Sequence, residues 1–138
     1  MSSARSVPWG RVGARPAHAG AGDKHKGAAM QPGSEFVFVY TPLPSKEAAE
    51  KMAEALVGAR LTACVNIYAG VTSVYEWKGA VQKEAEVVAF IKTRRALAED
   101  VVAAARELHP YEVPAFLVLP IESGNEDYLD WARGQLKV

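Results

Sequence analysis

The residues of this chain best equipped for chemistry are Cys64, His109 and Glu112. Cys64 is the single cysteine, and as a thiolate it would be a ligand for soft metals such as copper. His109-Pro110-Tyr111-Glu112 sets an imidazole, a phenol and a carboxylate around a proline that fixes the turn. Imidazole and carboxylate are ligands for Zn²⁺ or Cu²⁺. Two donors fall short of the three or four of a selective site, so others must come from elsewhere in the fold or from another subunit. Each residue also has a purely structural reading. An unpaired cysteine is usually a small, inert packing residue, here at a subunit interface. A histidine ahead of a proline at a helix end interacts well with the helix dipole. His18 and His25 stand in a loose tail and are expected to be solvated. There is no GxSxG, CxxC or P-loop and no evident nucleophile–base pair, so no enzyme activity is expected. The missing CxxC argues against a chaperone that grips copper between two thiolates.

The element that positions Cys64 is a long β-hairpin. Leu61 to Tyr68 is rich in β-branched and aromatic residues, as strands are. Ala69-Gly70 suggests a bulge or bend. The strand continues from Val71, turns at Lys78-Gly79, where glycine is free to take positive φ, and returns from about Val81 to Thr93. The return arm needs roughly 40 Å of extended chain at about 3.3 Å per residue. Ordinary strands are about 5 to 6 residues long, so the far end is expected to pair with another subunit. Strand parity puts Leu61, Ala63, Val65 and Ile67 on one face, and Thr62, Cys64, Asn66 and Tyr68 on a more polar one. Glu84, Glu86 and Lys92 share a face with Val88 and Phe90, an arrangement that suits an ion pair at an interface. Trp77 is expected to anchor that interface, and Tyr111 and Trp131 to pack in or near it.

The remaining elements follow in order. Phe36, Phe38 and Tyr40 alternate with Val37, Val39 and Thr41, which predicts a central strand covered on both faces and ended by Pro42 and Pro44. Ser45 is a predicted N-cap for a helix over about 46–57, with Gly58 at its stop. A second amphipathic helix is predicted over about 95–108 and closed by Pro110. Val113 to Ile121 reads as a strand apolar on both faces, and Asn125 as the cap of a third helix. The first six elements make the βαββαβ pattern of a ferredoxin-like α+β sandwich, extended by a C-terminal helix. Two helices cover one face of its sheet. The second apolar face marks an interface, so an oligomer with sheet packed on sheet is expected.

Composition divides the chain into an N-terminal extension, 1–34, and a folded domain, 35–138. The extension is rich in Ala, Gly, Ser, Pro and Arg and reads as disordered. Five basic residues there stand against Asp23 alone, leaving +4, and the folded part balances this at −4. An acidic domain is a poor candidate for nucleic acid. The chain has no apolar run of membrane-span length. One cysteine fits a reducing compartment, so the cytoplasm is the expected location. The Arg/Ser-rich, acid-poor extension offers an organelle transit peptide as the alternative.

Several motifs in order carry a resemblance: ACVNIY, GVTSVYEWKG, VVAFIKTRR, HPYEVP and GNEDYLDW. Over residues 35 to 136 the chain resembles the CutA family of divalent-cation tolerance proteins. The resemblance implies a compact homotrimer joined through the long hairpins. It also implies copper or other divalent-metal binding, metal tolerance and, in animals, an association with acetylcholinesterase anchoring. It carries Cys64 and His109 over first as metal-binding positions, with Glu112 after them, and implies no obligatory cofactor. Ala69 departs from the pattern, where proline often precedes the glycine. The expected function is therefore a trimeric metal-binding tolerance protein. The alternative is a trimeric regulatory or scaffold module that binds a small anion or a partner protein.

Overall fold

The structure, a computed structural model, describes residues 29–32 and 35–137. The expectation of disorder over 1–34 lies outside the described residues except at 29–32. Four antiparallel strands form the main sheet in the order β3-β4-β2-β5. They are β2 Phe36–Leu43, β3 Cys64–Trp77, β4 Ala80–Arg94 and β5 Leu117–Pro120. Helices α1 (Lys46–Gly58) and α2 (Ala98–Leu108) connect them, and α3 (Glu126–Gln135) closes the chain. This is the ferredoxin-like α+β sandwich, with a short ribbon added in which β1 (Met30–Pro32) pairs with β6 (Ser123–Asn125). No helix among the described residues is long and apolar enough to cross a membrane.

One face of the sheet is the core. Val37, Val39, Leu43, Ala89 and Ile91 are buried there with Met52 and Leu56 of α1 and Val101 and Ala105 of α2. Strand parity sends Phe38, Tyr40, Phe90 and Tyr68 to the opposite, open face. Phe90 meets Phe38, Tyr40 and Tyr68 edge-on there, with ring centroids 5.9, 5.5 and 5.5 Å apart. The hairpin reaches away from this body. Its register slips between Tyr68 and Val71, where Gly70 takes φ 81°, and it turns through Lys78 (φ 52°) and Gly79 (φ 84°). Positive φ at both central residues is the type I′ signature that matches strand twist.

Several boundaries move for identifiable reasons. The segment 30–32, expected within the disordered extension, is β1. The Ala29 carbonyl accepts the Glu126 N–H at 2.9 Å, so the folded unit reaches back to the start of α3. Strand β2 runs through Pro42 instead of ending there. Because β5 stops opposite Tyr40, β2 is unpaired on that side beyond it. The Pro42 carbonyl points there and accepts from His109, so the missing N–H costs no ladder bond. Ser45 caps α1 as expected, its Oγ accepting the Ala48 N–H at 3.1 Å. Gly58, however, is the last helical residue, and the left-handed position falls to Arg60 (φ 61°). Leu61–Ala63 is buried but precedes the strand, and Arg95–Leu97 is a 3₁₀ turn ahead of α2. The predicted strand over 113–121 shrinks to four residues, since β2 offers only Val37–Tyr40 as partners. Asn125 precedes α3 but bonds Asp127, whose Oδ1 accepts the Tyr128 N–H instead.

Candidate functional site

His109 leaves the end of α2 in an extended conformation and is only 8% exposed. Its Nε2 lies 2.8 Å from the Pro42 carbonyl and 3.2 Å from Thr41 Oγ1, and its Nδ1 lies 3.2 Å from the Tyr111 backbone nitrogen. A carbonyl only accepts and a backbone N–H only donates. The neutral ring therefore carries its proton on Nε2 and its lone pair on Nδ1. Burial pushes its pKa below the usual histidine value, opposed by the Pro42 hydrogen bond and the Glu86 charge and assisted by Arg106. Tyr111 and Phe116 flank the ring at 5.0 and 5.6 Å. Both ring nitrogens are thus engaged within the chain.

The turn that follows is fastened to the hairpin. The Tyr111 hydroxyl donates to Glu86 Oε2, and the Ser73 hydroxyl to Glu86 Oε1, each at 2.5 Å. Burial, then the Glu86 hydrogen bond and charge, raise the Tyr111 phenol well above its usual pKa. Between turn and hairpin lies a groove of about 540 Å³ walled by Tyr75, Trp77, Glu84, Glu86, Tyr111 and Glu112. Val113, 85% exposed, stands at its rim.

Cys64 lies elsewhere. It opens β3 opposite Lys92 on the open face and is half-buried. Lys92 is expected in an ion pair at a subunit interface, which lies outside a single chain. Within the chain its ammonium lies 5.4 Å from the Tyr128 ring centroid, and Glu86 is held by Tyr111 and Ser73. Tyr128 in turn packs on Trp131 at 5.7 Å. Because His109 bonds Thr41, on the helix-covered face, the sheet stands between His109 and Cys64. Glu112 lines the hairpin groove. The three donors are therefore not brought together within one chain. Among the described residues no group of three or more His, Cys, Asp or Glu side chains could hold a metal ion. Sequence reasoning missed the roles of Thr41, Pro42 and Ser73 and the wall made by Tyr75. The Tyr75 side chain was legible from hairpin parity, whereas the His109 acceptors depend on how α2 docks.

A ferredoxin-like sandwich with so long a hairpin and a His-Pro-Tyr-Glu turn against its base matches one family model. That model describes the CutA1 divalent ion tolerance protein and covers residues 37–135. The chain belongs to the CutA1 family. The divalent-cation tolerance protein CutA of Thermus thermophilus is 44% identical over 95 residues, 69% of this chain and 92% of that protein. The chloroplastic protein CutA of Arabidopsis thaliana is 41% identical over 101 residues, 73% of this chain and 56% of that protein. The chain thus spans little more than half the length of this plant relative. The crystal structure of CutA1 from Oryza sativa superposes with a TM-score of 0.72 at 39% identity, over 74% of this chain and 94% of that one.

Proposed function

We propose that this CutA1-family chain acts as a homotrimer in divalent-cation tolerance, without catalysis, and binds copper or a similar metal ion directly. One observation carries the assembly: the open sheet face, where Phe38, Tyr40, Phe90 and Tyr68 form an apolar aromatic cluster that α3 borders only at its Phe38 and Lys92 end. Such faces are covered in stable proteins. Trp77, 60% exposed near the hairpin tip, suits an anchor in a neighbouring protomer. A metal site with three or more donors would then be completed between protomers, with the Cys64 thiol and the Glu112 carboxylate as the accessible ligands. His109 joins them only by giving up the Tyr111 N–H at Nδ1 or the Pro42 carbonyl at Nε2, so metal binding there would shift the 109–112 turn. The cytoplasm is the proposed location. An organelle remains the alternative because the Arabidopsis and rice relatives are chloroplastic.

A copper titration against a chromophoric chelator, on the chain with His18 and His25 replaced by glutamine, tests direct binding. Stoichiometric binding lost in Cys64→Ser or His109→Ala is the expected result. Binding unchanged in both variants refutes these residues as ligands. The engaged nitrogens of His109 favour a second reading, a trimeric regulatory or scaffold module for a small anion or a partner protein. Capture of a specific partner, indifferent to metal, would support it.

A further inference from the structure

Strand β1 lies ahead of residues 37–135, the part matched by the family model, yet it fastens an element inside that part. Its register with β6 sets Met30 against Asn125, Gln31 against Gly124 and Pro32 against Ser123. The next pair along, Ala29 and Glu126, is joined by the bond from the Glu126 N–H to the Ala29 carbonyl at 2.9 Å. Hydrogen-bonded and open pairs alternate along an antiparallel ladder. Gln31 and Gly124 are therefore the following pair to exchange bonds, and Pro32 falls at an open position, where its missing N–H costs nothing. Glu126 is the first residue of α3. A helix start leaves its first N–H groups without partners inside the helix, and the Asn125 side chain makes no capping bond. The Ala29 carbonyl supplies one of the missing acceptors from outside. β6 also touches α3 directly: a Cβ at Gly124 would stand 3.2 Å from Cγ, Cδ1 and Cδ2 of the buried Leu129. β1, β6 and the first turn of α3 thus form one clasp. That turn reaches the open face, where Tyr128 holds the Lys92 ammonium and, with Leu129, walls an apolar pocket over Phe38. The clasp is weakly held. β1 has three residues, pairs with β6 alone among the described strands and leaves Met30 64% exposed. A two-stranded ribbon is marginal by itself, and elements with so little buried surface open first.

We propose that β1 is a releasable strap. Fastened, it holds the first turn of α3 against the Phe38 and Lys92 end of the open face; released, it frees that turn and loosens the assembly built on the face. The assembly half rests on the proposed trimer. A protease that removes the chain through Pro32 would release the strap, whereas trimming that stops before Ala29 would leave it fastened. Hydrogen exchange read by mass spectrometry on the full chain tests the clasp. Gln31→Pro removes the ladder N–H, and Gln31→Ala keeps it. Peptides over 123–131 should exchange about fivefold faster or more in Gln31→Pro and at the wild-type rate in Gln31→Ala, with residues 87–93 of β4 unchanged in both. Should the proline variant fail to fold, Met30→Cys with Asn125→Cys gives the opposite perturbation. An open pair has its Cα atoms about 4.5 Å apart, which suits a disulfide, and the oxidised variant should slow the same peptides about fivefold or more. Wild-type exchange over 123–131 in Gln31→Pro or in the oxidised variant, or equal acceleration in Gln31→Ala, overturns the strap. Sedimentation reads the assembly half: the Gln31→Pro trimer should dissociate at a concentration about fivefold higher or more. Unchanged dissociation beside accelerated exchange overturns the link to assembly. A monomeric wild type refutes the trimer and that link with it, while exchange still decides the strap.

Discussion

Replacing His109 by alanine tests whether this residue is a bolt of the fold. The substitution removes the donor to the Pro42 carbonyl and the acceptor for the Tyr111 N–H. Each such bond is worth about 1 kcal/mol net, and more when its partner stays buried. Loss of the ring contacts with Tyr111 and Phe116 adds about 0.5–1.5 kcal/mol each. The expected total is about 3–5 kcal/mol, read as a lowered urea midpoint at fixed protein concentration. Proton linkage supplies a second signature. The folded-state pKa of His109 is depressed, so as pH falls below about 6.5 the unfolded chain takes up a proton that the folded chain resists. The stabilising contribution is therefore complete above about pH 6.5 and declines as pH falls through the lowered folded value. Below that, Nδ1–H would face the Tyr111 N–H, donor against donor. Wild type should lose stability across this window relative to His109→Ala. A loss under 1 kcal/mol in the variant, or parallel pH profiles, would refute the internal role assigned to both ring nitrogens.

Three further outcomes follow from the same contacts. Phe90→Asp places a charge at the centre of the aromatic cluster on the open face, and analytical ultracentrifugation should find monomer in place of the trimer proposed for the wild type. Arg60→Ala keeps a left-handed backbone and loses the guanidinium bond to the Gly134 carbonyl (2.9 Å), so thermal or urea unfolding should show a loss of about 1 kcal/mol. Arg60→Gly loses the same bond but removes the backbone strain, about 1 kcal/mol, and should fall near wild type. Tyr111→Phe removes the hydroxyl that fastens the turn to Glu86. It should cost about 1–2 kcal/mol and accelerate hydrogen exchange at residues 110–113.

The sequence by itself determined the elements whose signals are local. Alternation from Phe36 to Thr41, the Ser45 cap, the glycine-marked bulge and turn of the hairpin, and the helical stripes are all short-range patterns, and together they specify the α+β order. They also determined that a second apolar face exists, because β2 alternates apolar residues on both sides. Tertiary structure alone decided the rest. The segment 30–32 becomes a strand only because β6 lies beside it, and Pro42 stays in β2 only because β5 stops short. His109 carried metal-ligand spacing, yet whether its nitrogens stand free depends on α2 docking at the end of β2, a long-range contact invisible to spacing. Cys64 and His109 are both metal-ligating residue types, and sequence alone does not say where they stand relative to each other. Strand parity and helix placement put the sheet between them, since residues on opposite faces of a sheet cannot share a ligand within one chain.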